Sequence, residues 1–337
     1  MAGHGSKLAV YSAIGINALV TIGKLGGFFL TGSGAMLSEA VHSMADLGNQ
    51  ALLALGMQRG TKPADEFHPF GYGRDAFVWA MISATGIFFL GAGVTVAHGV
   101  HALTEEHPPT VESQGAALGI LFLSLALEGL SFAIAIKGMQ GDAKVRGLGL
   151  VQHLRTTDDP FGIAVLLEDS AAVIGVLLAF AAVGLSALTG NPHWDAYGSI
   201  AVGALLGLVA VFLITKNRAL LIGPALPASE QAKLAQILHS DPAIEAVAVN
   251  RSVVTGPDSY KITAEIDFDG AYVARRYLEG KDVAALHQRL DTPAALQAFL
   301  EEFGEAMATQ MGKEIDRIEE RIRQEIPKAT NVDLEPH

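Results

Sequence analysis

Ionisable side chains interrupt stretches of this sequence that are otherwise apolar. In residues 34–57, His42 and Asp46 are four residues apart, so on a helix they lie on one face, one turn apart. A histidine and a carboxylate at this spacing can each donate one ligand to a divalent cation. Glu39 and Asn49 lie on nearly the same side and are candidates for a secondary role or a proton route. The pattern predicts a metal site; a hydrogen bond between His42 and Asp46 is the structural alternative.

A second apolar stretch, residues 161–188, contains the adjacent carboxylates Glu168 and Asp169. Adjacent positions on a helix are about 100° apart, so the two side chains point in different directions. One is expected to face the metal, and the other a neighbouring helix or the proton route. Two ionised carboxylates without a counter-ion are very costly in apolar surroundings, and a divalent cation would remove that cost.

Two further ionisable residues lie in apolar stretches of their own. Lys24 lies within residues 8–31 and Glu128 within residues 115–137. Charges inside such stretches are expensive and point to function. A structural ion pair between Lys24 and Glu128 is the favoured interpretation, and a proton carrier is the alternative for Glu128.

Membrane-spanning helices are the elements that must position these residues. The 337-residue chain is 50% hydrophobic and only 17% charged, whereas soluble proteins are about 25% charged. Spanning a bilayer takes roughly 20 mostly apolar residues. Six stretches meet this length, and they predict an all-α six-helix transmembrane domain over residues 1–219: 8–31, 34–57, 76–101, 115–137, 161–188 and 196–216.

The distribution of basic residues predicts the orientation. With the N-terminus in the cytosol, the outer loops at about 32–33, 102–114 and 189–195 contain no Lys or Arg. The basic residues between the spans then all lie in cytosolic segments, as the positive-inside rule requires. An even number of spans returns the chain to the cytosol, so both termini are expected there. The absence of a transit peptide and the short loops favour a bacterial inner membrane over a mitochondrial one.

Residues 220–337 have the composition of a soluble acidic domain. A helix is expected over 227–240 with Ser229 as its N-cap. The other expected elements are strands at 244–254 and 259–268, a charged helical region at about 280–326, and an edge strand at 332–334. This order predicts a cytosolic α+β domain with a ferredoxin-like fold.

Several function classes are disfavoured by the sequence. A net charge of −12 argues against nucleic-acid binding, and the absence of cysteine excludes disulfides and thiolate ligands. Neither a His-Glu-x-x-His nor a Gly-x-Ser-x-Gly motif is present, so an enzyme is not expected. A cation channel and a metal-binding scaffold without transport remain as rivals to a transporter.

Longer phrases of the sequence identify a family. They occur in this order: SEAVHSMADLGNQALLALG (38–56), HPFGYGR (68–74), VLLEDSAAVIGV (165–176), LTGNPHWDAYGSIAVGALLG (188–207) and KITAEIDFDG (261–270). Together they resemble the cation diffusion facilitator family, and within it the branch that contains the ninth vertebrate zinc transporter. The resemblance runs from about residue 8 to 335.

This resemblance implies a homodimer of six-helix protomers in the lipid bilayer that export a divalent metal, usually zinc, in exchange for protons. It places the transport site between spans 2 and 5, with His42, Asp46 and Asp169 as ligands. Val165 stands where a histidine is usual and cannot bind metal, so Glu168 is expected to substitute. One imidazole and three carboxylates form a harder ligand set, which makes Mn²⁺, Fe²⁺ or Co²⁺ plausible beside Zn²⁺. Loss of that histidine also leaves open a scaffold whose transport site has decayed.

A second metal site of the family lies between spans 2 and 3. Asp65 and His68 match two of its ligands, but Tyr72 stands where a second histidine is common. The alternative is a tight turn without metal, which the Pro and Gly residues of this segment explain by themselves.

Overall fold

A computed structural model describes the backbone of residues 4–31, 34–104, 114–145, 147–191 and 193–337. The chain forms two compact units. One comprises Met1–Gly223 with Gly256–Asp258, and the other comprises Pro224–Thr255 with Ser259–His337.

Long helices build the first unit. They are α1 (His4–Thr31), α2 (Gly34–Gly60), α3 (Asp75–Gly86), α4 (Val94–Thr104), α5 (Gln114–Val145), α6 (Leu150–Thr156), α7 (Pro160–Thr189) and α8 (His193–Ile222). Within the described part of the chain, five helical stretches are long and apolar enough to cross a membrane: Ser6–Gly26, Asp75–Thr104, Phe122–Val145, Pro160–Ser186 and His193–Ile222. The first unit is therefore a helical domain of membrane type.

Helix α2 corresponds to the second predicted span. It packs against α1 and α3, and its buried residues Leu53 and Met57 belong to the core of the unit. The side chains of Glu39 and His42, near its start, lie outside the described part of the chain.

The third predicted span is interrupted by a π-helical segment, Ile87–Gly93, between α3 and α4. The sequence did not predict this change, although π-helical turns are often found at functional sites. The segment and α4 pack against α8. At Gly203 of α8 a Cβ atom would lie 2.6 Å from the Val96 side chain, so this close approach requires glycine.

Helix α7 has defined caps at both ends. The Asp159 carboxylate accepts hydrogen bonds from the backbone N–H groups of Phe161 (3.0 Å) and Gly162 (3.2 Å), and from the Ser6 hydroxyl of α1. Gly190 ends the helix in the left-handed region at φ 66°. These contacts fix where α7 starts, and hence the position of the carboxylates two turns further along.

The second unit contains a three-stranded sheet. Its elements are α9 (Ala228–Ser240), β1 (Ile244–Gly256), β2 (Ser259–Phe268), α10 (Gly270–Leu278), α11 (Val283–Arg289), α12 (Pro293–Glu325) and β3 (Ala329–Pro336). The predicted strands at 244–254, 259–268 and 332–334 are confirmed. The prediction of Ser229 as N-cap is wrong. Pro227 occupies that position without a side-chain bond, and Ser229 already lies inside the helix.

The strand order is β1-β2-β3, so β3 is an edge strand as expected. Strands β2 and β3 pair in parallel, with Ile262 opposite Val332 and Ala264 opposite Leu334. Alternate residues of β2 are buried, as its sequence alternation indicated. Ile318 of α12 is fully buried in this unit.

The charged region expected at about 280–326 is divided rather than continuous. Gly280 adopts φ 77° after α10, and the side chains of Asp282 and Thr292 cap the starts of α11 and α12. Each cap satisfies backbone N–H groups that a continuous helix would bond internally, so the chain changes direction at these points.

Helix α12 also carries a partly buried charge network. Arg317 donates two hydrogen bonds to the buried carboxylate of Asp241, at 2.7 and 2.9 Å, and a third to buried Glu314 at 2.7 Å. Burial alone would raise the pKa of Asp241, but the hydrogen bonds from Arg317 and the Ala243 backbone N–H, together with the charges of Arg317 and Arg321, outweigh it and hold that pKa below its usual value.

Candidate functional site

Glu168 on α7 is directed towards α2. Its carboxylate Oε1 accepts a hydrogen bond of 2.9 Å from the amide of Asn49, and the Asn49 oxygen in turn accepts one of 2.5 Å from the Ser83 hydroxyl on α3. All three side chains are buried, and Glu168 is only 7% exposed. This chain of hydrogen bonds links three helices and fixes the orientation of Glu168.

The second oxygen of Glu168 has no such partner. Oε2 is buried and makes no hydrogen bond. A buried carboxylate oxygen without a donor is costly in a folded protein, and such exceptions need an explanation. An oxygen held in this state is suited to accept a proton or a cation.

Asp169 is held from another direction. Its Oδ2 accepts a hydrogen bond of 2.7 Å from the Ser131 hydroxyl on α5, and the residue is 1% exposed. The adjacent carboxylates therefore diverge as expected, Glu168 towards α2 and α3, and Asp169 towards α5. Ser131 follows Glu128 by three residues, so the two side chains lie on one side of α5.

Four carboxyl groups interact electrostatically in this region, and we refer to them as the carboxylate cluster: Asp46, Glu128, Glu168 and Asp169. Asp46 of α2 acts on the other three. Lys24 of α1 attracts Glu128, and a direct ion pair between the two stays a prediction. Two acidic residues from α7, one from α2 and one from α5 thus come together within the helical unit.

The described side chains do not form a complete set of metal ligands. Among the residues that the structure describes, no three His, Asp or Glu side chains are placed to hold one metal ion together. Glu39 and the predicted ligand His42 lie outside the described side chains. The structure thus places Asp46, Glu168 and Asp169 in one interacting group without bringing them to a common point.

Val165 stands at the position where the resembling family usually has a histidine ligand. It is completely buried, in the apolar core that also contains Leu53 and Phe161. A polar side chain at this position would therefore face the packed core.

The 61–74 loop between α2 and α3 brings Asp65 and His68 together. Asp65 Oδ2 accepts hydrogen bonds from the Tyr72 hydroxyl (2.8 Å) and the Lys62 ammonium (3.2 Å), and Oδ1 accepts from the backbone N–H groups of Phe67 and His68. The Tyr72 hydrogen bond, helped by Lys62, holds the pKa of Asp65 well below its usual range. The oxygens of Asp65 thus have protein donors, which fits the interpretation of this segment as a turn.

Sequence reasoning missed Ser83 and gave Ser131 no role. Both are serines in apolar helices and both are buried. The signal was weak, because a serine inside a helix often bonds the carbonyl one turn earlier and does nothing else. Only the positions of Asn49 and Asp169 opposite them reveal their function as donors.

Comparison with known proteins gives a family match. A family model for the cation efflux transmembrane domain matches residues 10–222, which contain the whole carboxylate cluster and the 61–74 loop.

Several relatives match almost the full chain. The proton-coupled zinc antiporter SLC30A9, mitochondrial, of Xenopus laevis is 39% identical over 338 residues, covering 99% of this chain and 60% of the relative. The Homo sapiens protein of the same name is 37% identical over 334 residues, covering 98% and 58%. Metal tolerance protein C4 of Arabidopsis thaliana is 38% identical over 339 residues, covering 98% and 74%. The chain therefore spans about 60% of the length of the animal relatives.

Proposed function

Because the chain belongs to the cation efflux family, which is a family of transporters, we propose that it moves a divalent cation, zinc in the first place, across a membrane in exchange for protons. The cation is cargo, so the site must be strong enough to strip water from it and weak enough to release it. Two relatives are named proton-coupled zinc antiporters, which supports both the ion and the counter-ion.

The buried Glu168 oxygen without a hydrogen-bond donor is the observation that carries this proposal. Glu168 is held by Asn49 so that one oxygen is occupied and the other is left for a ligand. Asp46 is close enough to act on it electrostatically, and His42 precedes Asp46 by one helical turn. We propose that His42, Asp46, Glu168 and Asp169 hold the cation, with small helix movements closing the set around it.

Protons couple to the cation through the same side chains. Histidine and carboxylates bind a metal only when deprotonated, so metal binding releases protons and acid competes with metal. On the cytosolic side the deprotonated site loads the cation. On the other side protons occupy the carboxylates and His42, weaken the site and expel the cation. Return of the protonated site carries protons inward.

The proposed architecture extends the fold. We propose six membrane spans, in which α2 is the second and is added to the five helical stretches named above. We also propose a ferredoxin-like C-terminal domain on the side of the basic loops, and a homodimer as the assembly. The divided helical region and parallel β2–β3 pair are compatible with a ferredoxin-like layer. Both termini then lie on the side of the membrane that carries the Lys- and Arg-containing loops.

A hard ion is the second candidate for cargo. Three carboxylates and one imidazole suit Mn²⁺, Fe²⁺ or Co²⁺ better than a set with two imidazoles. Val165, which is buried in apolar core, leaves no second imidazole at that position. Competition of each ion with Zn²⁺ for uptake ranks the candidates.

Zinc uptake by proteoliposomes with an imposed pH gradient tests the proposal. We expect the wild-type protein to take up Zn²⁺ only with the gradient, and His42→Ala and Asp169→Ala to abolish uptake. Thr21→Val is a matched control, because Thr21 is buried in α1 and its hydroxyl bonds the Asn17 carbonyl rather than the cluster. Normal uptake by either alanine variant would refute the site, and binding of Zn²⁺ without uptake by the wild type would indicate a scaffold.

A further inference from the structure

Lys24 places a positive charge beside the carboxylate cluster. The residue lies on α1 and is 9% exposed, and its ammonium donates a hydrogen bond of 2.8 Å to the Ser43 hydroxyl on α2. Ser43 precedes Asp46 by three residues, so the two lie on one side of α2. The ammonium is thereby tethered to the helix that carries part of the proposed site.

The charge of Lys24 acts directly on the cluster. It attracts the Glu128 carboxylate, which the carboxylates of Asp46 and Asp169 repel. Glu128 in turn acts on Glu168. A positive charge in this position lowers the net negative charge that an arriving dication meets.

Structural stabilisation alone is a poor explanation for a buried lysine at this position. An apolar side chain of similar size would fill the same space without the cost of burying a charge. Burying an ammonium in a membrane helix is expensive as well. An effect of the charge on the site is the better explanation.

We propose that the Lys24 ammonium is a built-in counter-cation that weakens the binding of the transported dication and so promotes its release. This inference rests on the proposed function. In the empty site the ammonium offsets part of the repulsion among the carboxylates. When the dication enters, the ammonium repels it and makes the loaded site easier to empty. Lys24 is thus a residue that sets affinity without being a ligand.

The expected size of the effect follows from Coulomb's law. A dication and a monocation about 10 Å apart at an effective dielectric constant of about 20 repel strongly enough to change an affinity by roughly 250-fold. Relaxation and water reduce this, so we expect Lys24→Gln to tighten Zn²⁺ binding about tenfold or more. Faster loading and slower release then lower KM and kcat for uptake together.

Zn²⁺ titration of the full-length protein in detergent, followed by uptake in proteoliposomes, tests the inference. Lys24→Gln should bind Zn²⁺ about tenfold tighter than wild type, and Lys24→Arg, which keeps the charge, should bind like wild type. Glu128→Gln should bind about tenfold weaker because it removes one negative charge from the cluster while the Lys24 ammonium remains. The double variant Lys24→Gln with Glu128→Gln should return close to the wild-type affinity.

The outcomes separate the inference from the function it rests on. A wild type that binds and transports Zn²⁺ while Lys24→Gln binds no tighter overturns the inference alone. A wild type that neither binds nor transports Zn²⁺ overturns both. If Lys24→Gln does not fold, the Zn²⁺ affinities of Glu128→Gln and of the double variant are compared, because these two proteins also differ only in the Lys24 charge. Equal affinities of the two would overturn the inference.

Discussion

Replacement of Asn49 by leucine tests whether the hydrogen-bond chain to Glu168 supports transport. The Asn49 amide is the donor to Glu168 Oε1, and Oε2 has no hydrogen bond, so the leucine variant leaves neither carboxylate oxygen with a donor. A hydrogen bond to a charged group contributes about 1.5–3 kcal/mol. Because 1.4 kcal/mol corresponds to a factor of ten, kcat/KM for Zn²⁺ uptake should fall between about tenfold and a hundredfold.

Two matched variants make the expected loss specific. Ser83→Ala removes only the outer member of the chain and leaves Asn49 bonded to Glu168, so kcat/KM should fall by no more than about fivefold. Thr21→Val removes a buried hydroxyl that does not face the cluster and should leave uptake unchanged. The assay is initial Zn²⁺ uptake at concentrations below KM, normalised to reconstituted protein. Uptake by Asn49→Leu within twofold of wild type would show that the orientation of Glu168 is irrelevant.

Two other predictions concern parts of the chain outside the helical core. Arg317→Met removes two hydrogen bonds to buried Asp241 and one to buried Glu314. It should destabilise the second unit by about 2–3 kcal/mol, measured as faster hydrogen exchange in α9 and α12 of the full chain. The pKa of Asp241 is lower in the folded protein than in the unfolded chain, so ionised Asp241 stabilises the fold above the usual aspartate pKa of about 3.9. This stabilisation disappears as the pH falls through the pKa of the folded state. Equal protection from hydrogen exchange at pH 6 and pH 3 would contradict this expectation. Asp65→Asn should loosen the 61–74 loop and speed its hydrogen exchange, because an amide replaces the carboxylate that accepts the Tyr72 hydrogen bond. The number of bound Zn²⁺ ions should stay the same. Loss of one ion would instead reveal a metal site at Asp65.

Element boundaries were largely readable from the sequence, because apolar length and alternation leave few choices. The limits of β2 agree with the pattern from Ser259 to Phe268, whose alternate residues face the interior. The N-cap of α9 was misassigned because Ser229 has the right residue type, whereas the chain already becomes helical at Ala228. Residue type at a helix start is therefore weaker evidence than the backbone conformation before it.

The candidate site was only half readable. Sequence spacing identified which carboxylates share a span, but not which neighbour each one faces, because the rotation of a helix about its axis depends on packing against other helices. The structure supplies that information by bonding Glu168 to Asn49 and Asp169 to Ser131. Buried serines and the π-helical segment in the third span carry no distinctive sequence signal of their own.

The divergence of Glu168 and Asp169 also constrains how the helices can move. Adjacent residues about 100° apart cannot both turn towards one ion by rotation of α7 alone, so the proposed ligand set requires α2 or α5 to approach. Glu168 is linked through Asn49 to Ser83 on α3, whereas Asp169 is bonded to α5. A shift of α3 away from α2 would therefore break the Ser83 bond and alter the support of Glu168, while Asp169 stays anchored. In the proposed transport cycle, alternating access is therefore expected to change the affinity of the site mainly through Glu168.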